Sequence, residues 1–178
     1  MTLLTPITAK SQLSFVTVYL SLGMIIIGLL LGFFDAKYLI VAAVFGGIGL
    51  FSLWSKVIAG RREVTLDAAA GQVTISRVSA FFRPKRRSYP LEMFGSVQSY
   101  ILQGKFPINR VELVTRTGGE ALMVALFEPA NAAPSFFSLP ADGENKSAGR
   151  LRQEIAGQLG LLDRGFLGNR MFGAQIKD

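Results

Sequence analysis

Leu13 to Phe34 reads LSFVTVYLSLGMIIIGLLLGFF, and no position in it carries a charge. Three residues later a second run, YLIVAAVFGGIGLFSLWSKVI from Tyr38 to Ile58, stays uncharged until Lys56. A transmembrane helix needs about 20 mainly apolar residues, and both runs reach that length. A cleaved signal peptide would show an apolar core of roughly 7 to 15 residues and then a small-residue cleavage site. The first run is longer, ends in Gly32-Phe33-Phe34 and meets a second run at once. Asp35-Ala36-Lys37 is too short a link for anything but antiparallel neighbours, so the sequence predicts a transmembrane helical hairpin over residues 13–58.

The flanks orient this hairpin. Phe33, Phe34 and Tyr38 stand near one expected interface, Phe51 and Trp54 near the other. Lys10 precedes the first run and Lys56, Arg61 and Arg62 close the second, whereas the turn has Lys37 beside Asp35. The positive-inside rule then puts both termini in the cytoplasm, giving a multi-pass membrane protein. Small residues recur at four-residue spacing: Gly28 with Gly32, and Ala42 with Gly46 or Ala43 with Gly47. We take Gly28, Gly32, Ala43 and Gly47 as helix-packing positions, where small side chains let backbones approach. No ionisable residue lies mid-span, which argues against a transport or proton pathway built from this chain alone.

The whole composition agrees. The chain has 178 residues, 50% hydrophobic and 17% charged, against roughly 25% charged in soluble domains. Mean hydropathy is +0.39, and a net charge of +7 favours anionic partners. There is no Cys and no His. Disulfides, thiolate nucleophiles and the commonest metal ligand and general base are therefore missing.

After Arg61 the texture changes to short strand-like runs. Glu63–Asp67, Gln72–Phe82, Tyr89–Met93, Gly95–Leu102, Arg110–Thr117 and Ala121–Phe127 read as strands, with Thr117-Gly118-Gly119-Glu120 as a hairpin turn. In the second of these, Val73, Ile75 and Arg77 alternate along one side. Ser147–Leu162 places Leu151, Ile155, Leu159 and Leu162 on one face of an amphipathic helix. The expected architecture is α+β: an N-terminal segment 1–12, the hairpin 13–58, an antiparallel β-rich domain 61–162 closed by one helix, and a tail 163–178 without a clear period.

This order of two spans, a basic edge, meandering strands and one terminal helix resembles bacterial membrane proteins with a pleckstrin-homology-like domain. It is most similar to the photosystem I assembly factor family and its relatives in non-photosynthetic bacteria. The resemblance rests on FSLWSKVIAG (51–60), QVTISR (72–77), FFRPKRRSYPL (81–91), SVQSYI (96–101) and RVELVTRTGG (110–119), and spans Leu13 to about Leu162. It is architectural, with no single diagnostic string. It implies a pleckstrin-homology-like fold and a non-catalytic assembly or scaffolding role on membrane complexes.

Motifs for chemistry are missing. No GxxxxGK[ST] or GxSxG occurs, and Gly46-Gly47-x-Gly49 lies inside an apolar span, where it serves helix packing. The carboxylates fall at no spacing that predicts an acid–base pair or a metal site. Asp142-Gly143-Glu144-Asn145 lacks the full pattern of a calcium loop and reads as a turn before the helix. The sequence predicts no catalysis and no cofactor.

One charged cluster stands out. Arg83, Lys85, Arg86 and Arg87, within FFRPKRRSYP, read as a short connection soon after a span. Anionic headgroups are then the nearest large negative surface, an acidic face of a protein partner is the next reading, and a plain solvated turn the blandest. One loop cluster is not the spread of basic and stacking residues that nucleic-acid readers show. The expected partners are thus the bilayer and one or more membrane proteins, in an oligomer or hetero-complex. Three roles fit: a scaffold or assembly factor, a permanent accessory subunit of a transport, secretion or enzyme complex, or a membrane immunity or regulatory protein.

Overall fold

The computed structural model describes residues 5–13, 16–78, 84–103, 107–130 and 143–170. The chain divides into two compact units, Leu13–Gly60 and Met1–Gln12 with Arg61–Asp178. The described residues form a mixed α+β structure with two four-stranded sheets.

The first unit holds α1 (Val16–Gly32) and α2 (Lys37–Gly60). The Asp35 carboxylate accepts the Lys37 backbone N–H at 3.0 Å, satisfying a donor that the first turn of α2 leaves open. The helices meet along a ladder of close approaches. A Cβ built on Gly49 would lie 2.9 Å from Ser21 Cβ, one on Gly46 3.9 Å from Ile25 Cδ1, one on Gly28 2.9 Å from the Ala42 nitrogen, and one on Gly32 2.5 Å from Leu39 Cδ2. Each step of three or four residues forward on α1 matches a step of four or three back on α2. That is one face of each helix in antiparallel register.

Gly28 and Gly32 are therefore at the seam, as expected, but Ala43 and Gly47 are not. Ala43 is exposed, and nothing lies within 4 Å of a Cβ built on Gly47. Ala42 and Gly49, both buried, take their place. The reason is phase: successive helical residues differ by about 100°, so residues 42, 46 and 49 share a face and residues 43 and 47 turn away from it. Outside the seam both helices are apolar and uncovered, with Leu20, Leu30, Ile40, Phe51 and Trp54 all at least half exposed. Among the described residues one helix, α2, is long and apolar enough to cross a membrane, over Lys37–Trp54; the apolar stretch of α1, Val18–Gly32, is shorter.

The second unit pairs β1 (Ile7–Lys10), β2 (Arg62–Asp67), β3 (Gln72–Val78) and β4 (Pro84–Pro90) in that order, all antiparallel. The second sheet has the order β7 (Ala121–Phe127), β6 (Ile108–Thr115), β5 (Phe94–Leu102), β8 (Leu162–Arg170). Gln12 donates to the Leu126 carbonyl at 2.8 Å and so ties the end of β1 to β7. Alternating Val64 and Leu66 on β2, Val73 and Ile75 on β3, and Val97, Val111 and Leu113 on the other sheet build one core. Helix α3 (Lys146–Leu159) adds Ala148 and Ile155 to it; the Asn145 side chain caps the helix by accepting the Ser147 N–H at 2.8 Å.

Three expectations change. Residues 7–10 are not a separate N-terminal segment but an edge strand of the β unit, with Ile7 and Ala9 buried against it. The basic stretch is not a connection: Lys85, Arg86 and Arg87 lie on β4, hydrogen-bonded along β3. The tail after Leu162 begins with β8, which runs parallel to β5 in an otherwise antiparallel sheet. Two register shifts interrupt that pairing, between Val97 and Ser99 and between Ser99 and Ile101 on β5. Opposite them β8 spends an extra residue each time, and the extra stretches contain Gly165 at φ 76° and Gly168 at φ 69°. Left-handed backbone of this kind is what a glycine bulge requires. Arg83, Lys105 and the irregular stretch 131–142 lie outside the described residues.

Candidate functional site

Strand register, more than sequence proximity, assembles the cations. On the core-facing side of the first sheet, three cross-strand rows run over β2, β3 and β4: Leu66–Val73–Tyr89, Val64–Ile75–Arg87 and Arg62–Arg77–Lys85. The rows pass from apolar to wholly cationic towards one end of the sheet. Tyr89 packs on the core, so the apolar end is anchored. Directly opposed side chains in such rows sit about 4.5–5.5 Å apart at Cβ, where like charges destabilise each other. Arg62 is buried at 8% exposure, while Arg77, Lys85 and Arg87 are exposed. The cationic row thus has one buried member, Arg62, and two exposed ones, Arg77 and Lys85.

Of the expected cluster, Lys85 and Arg87 share this face. Arg86 points to the other side of the sheet, opposite Ser76, next to the Thr74–Ser88 hydroxyl pair at 3.1 Å. Sequence reading missed Arg62 and Arg77 as members. The alternation Val73, Ile75, Arg77 already placed Arg77 on the core side; what was lacking was the register that sets Arg62 and Lys85 on either side of it. On the opposite face Lys10 pairs with Glu63 at 3.6 Å, in the cross-strand row that Ser76 and Arg86 continue.

Elsewhere the charged residues hold the fold together. Arg152, buried on α3, donates from Nε to Glu144 at 3.1 Å and from Nη1 to Asp163, while Ser99 donates to Glu144. Burial opposes the Arg152 charge, but its hydrogen bonds to Glu144 and Asp163 and their charges outweigh it and hold its pKa above the ordinary value. This network locks α3 to β5 and to the start of β8. The turn residue Glu144 is thus an ion-pair partner, and among the described residues no group of three or more His, Cys, Asp or Glu could hold a metal. Tyr100 donates to Glu112 at 2.8 Å; burial, and then the Glu112 charge, push the phenol well above its usual range.

Comparison with protein-family models, with curated proteins and with solved structures finds no match for this chain.

Proposed function

We propose that this protein is a non-catalytic, membrane-anchored scaffold or assembly factor of the bacterial inner membrane, with α1 and α2 crossing the bilayer and the β unit in the cytoplasm. The scaffold role follows the resemblance; the observation that carries the two-span anchoring is the pairing of β1 with β2. Lys10 lies opposite Glu63, so the chain leaves and re-enters the same sheet on either side of the helical unit. Any membrane crossed between them is crossed an even number of times. Since α2 has the length and composition for a span, the parity supports a second crossing by α1. At 17 residues α1 extends about 25 Å, near the short limit for a bilayer core of about 30 Å.

Further features support the same picture. Apolar side chains exposed around both helices suit lipid or other membrane helices. The turn carries one cation, Lys37, whereas Lys10, Lys56, Arg61 and Arg62 flank the other ends of the helices, a bias that favours the cytoplasm for the β unit. Two sheets and α3 are compatible with a pleckstrin-homology-like domain to which β8 adds a strand. The row Arg62–Arg77–Lys85 begins two residues after α2, where anionic headgroups would contribute about 1 kcal/mol per cation.

The chain has no cysteine, so a single label is clean. In full-length Ser88→Cys protein in nanodiscs, a fluorophore on β4 should be quenched by headgroup-borne quencher. Quenching should rise with anionic lipid, fall with salt and fall in Arg77→Ser/Lys85→Ser. Unchanged quenching across lipid compositions would remove the headgroup reading. Purification in mild detergent then separates the roles: a client lost on maturation of a complex marks an assembly factor, and constant stoichiometry marks an accessory subunit.

A further inference from the structure

On β5 the side chains alternate, and those on the face opposite Val97 are polar yet buried: Gln98 at 7% exposure and Tyr100 at 2%. Glu112, at 2%, lies opposite Gln98 on β6. Its Oε1 accepts from Tyr100 at 2.8 Å and is ion-paired with Arg110, whose Nε lies 2.6 Å away. The Gln98 amide oxygen is buried too, and among the described residues nothing donates to it. Buried acceptors without a donor are rare in native proteins and ask for an explanation. Gln98, Tyr100 and Glu112 line a hollow of about 160 Å³, with Glu120, Arg164 and Arg170 around its mouth. Arg164 and Arg170 come from the bulged strand β8, and bulges recur where a strand must re-aim side chains next to a site.

The chemistry of this lining is divided. Its floor offers acceptors: the Gln98 oxygen, the Glu112 carboxylate and a phenol whose proton is already given to Glu112. Its mouth offers two guanidinium groups beside one carboxylate, Glu120, so the cations are in excess there. A simple anion would satisfy the arginines and leave Gln98 as it is; a simple cation would face both arginines. We infer that the hollow binds an amino-acid-like group, its N–H donating to Gln98 and its carboxylate held by Arg164 and Arg170. A volume of about 160 Å³ equals roughly five waters, the scale of one small residue. The group could belong to a free amino acid or to the C-terminal residue of a chain; the first brings an ammonium, the second an amide N–H. The inference is independent of the membrane reading, because it rests on the β unit alone.

Calorimetric titration of the full chain in detergent tests it with three probes: glycine, N-acetylglycine and N-acetylglycinamide. One of the two carboxylates should bind with a Kd of about millimolar, fitting so few atoms, and the amide at least about tenfold more weakly. Preference for N-acetylglycine identifies a chain terminus, and preference for glycine a free amino acid. Gln98→Leu should weaken binding at least about tenfold without lowering Tm, since it removes an unpaired buried acceptor. Arg164→Gln/Arg170→Gln, at exposed positions, should abolish the preference for carboxylate over amide. No saturable binding of either carboxylate, equal binding of the amide, or unaltered affinity in both variants would overturn the assignment and leave a hollow that holds only water.

Discussion

Gly28 on α1 meets Ala42 on α2 so closely that a Cβ on the glycine would lie 3.0 Å from the alanine Cβ. Gly28→Leu should therefore push the helices apart, and Gly32→Leu should compete with Leu39 for one space. Gly47→Leu, off the seam, should be tolerated. Disulfide formation in Ser21→Cys/Gly49→Cys protein reads this directly. It should be efficient in the parent and in Gly47→Leu, and lost in Gly28→Leu; equal cross-linking in all three would show that the seam is not where the helices meet.

Tyr100 gives a pH prediction with a definite sign. Its folded pKa is raised above the ordinary 10.0, so above that pH the unfolded chain loses the proton while the folded one keeps it. The stability from this group is full below about pH 10 and is lost as pH rises beyond it. Tyr100→Phe should cost about 1 kcal/mol at neutral pH, by removing a donor to Glu112, and should flatten the alkaline fall. Thermal melts of both proteins between neutral pH and pH 11 would show it.

Gly165→Ala and Gly168→Ala should each cost about 1–2 kcal/mol, because an L side chain resists left-handed backbone. The loss should be local. Amide exchange should quicken on β8 and the β5 positions facing it, with β2 and β3 unchanged.

Arg152→Met should cost about 2–4 kcal/mol, less than a fully buried ion pair because Asp163 is partly exposed. Arg152→Lys should recover only part of this, since one ammonium cannot fork between Glu144 and Asp163. Denaturant midpoints measure both.

The legible parts of the fold are those whose signal is periodic. Uncharged runs on either side of Asp35-Ala36-Lys37 announced two neighbouring helices, and alternation in RVELVTRT announced β6. Ile155 announced the buried face of α3. The illegible parts break period. In β8 a glycine every three residues replaces alternation every two, so DRGFLGNR reads as a loop although it is a bulged strand. In β1 the four residues ITAK offer a single alternation, too little to distinguish from a tail. The cation site was half legible for a related reason. Lys85 and Arg87 are close in sequence, but Arg62 and Arg77 join them only through the strand register, which no local pattern encodes. Ala43 and Gly47 were misplaced because four-residue spacing fixes a stripe on a helix without fixing which stripe faces its neighbour.

The placement of β1 also sets a timetable. It leaves the ribosome before its partner β2, which is roughly fifty residues behind, and synthesis at about 5–20 residues per second makes that on the order of 3–10 seconds. Throughout that interval Ile7 and Ala9 have no sheet to bury them, and both helices must be completed before one forms. Completion of the β unit therefore waits on synthesis of the helices: a ribosome stalled between Leu13 and Gly60 leaves a nascent chain whose β1 still has no partner.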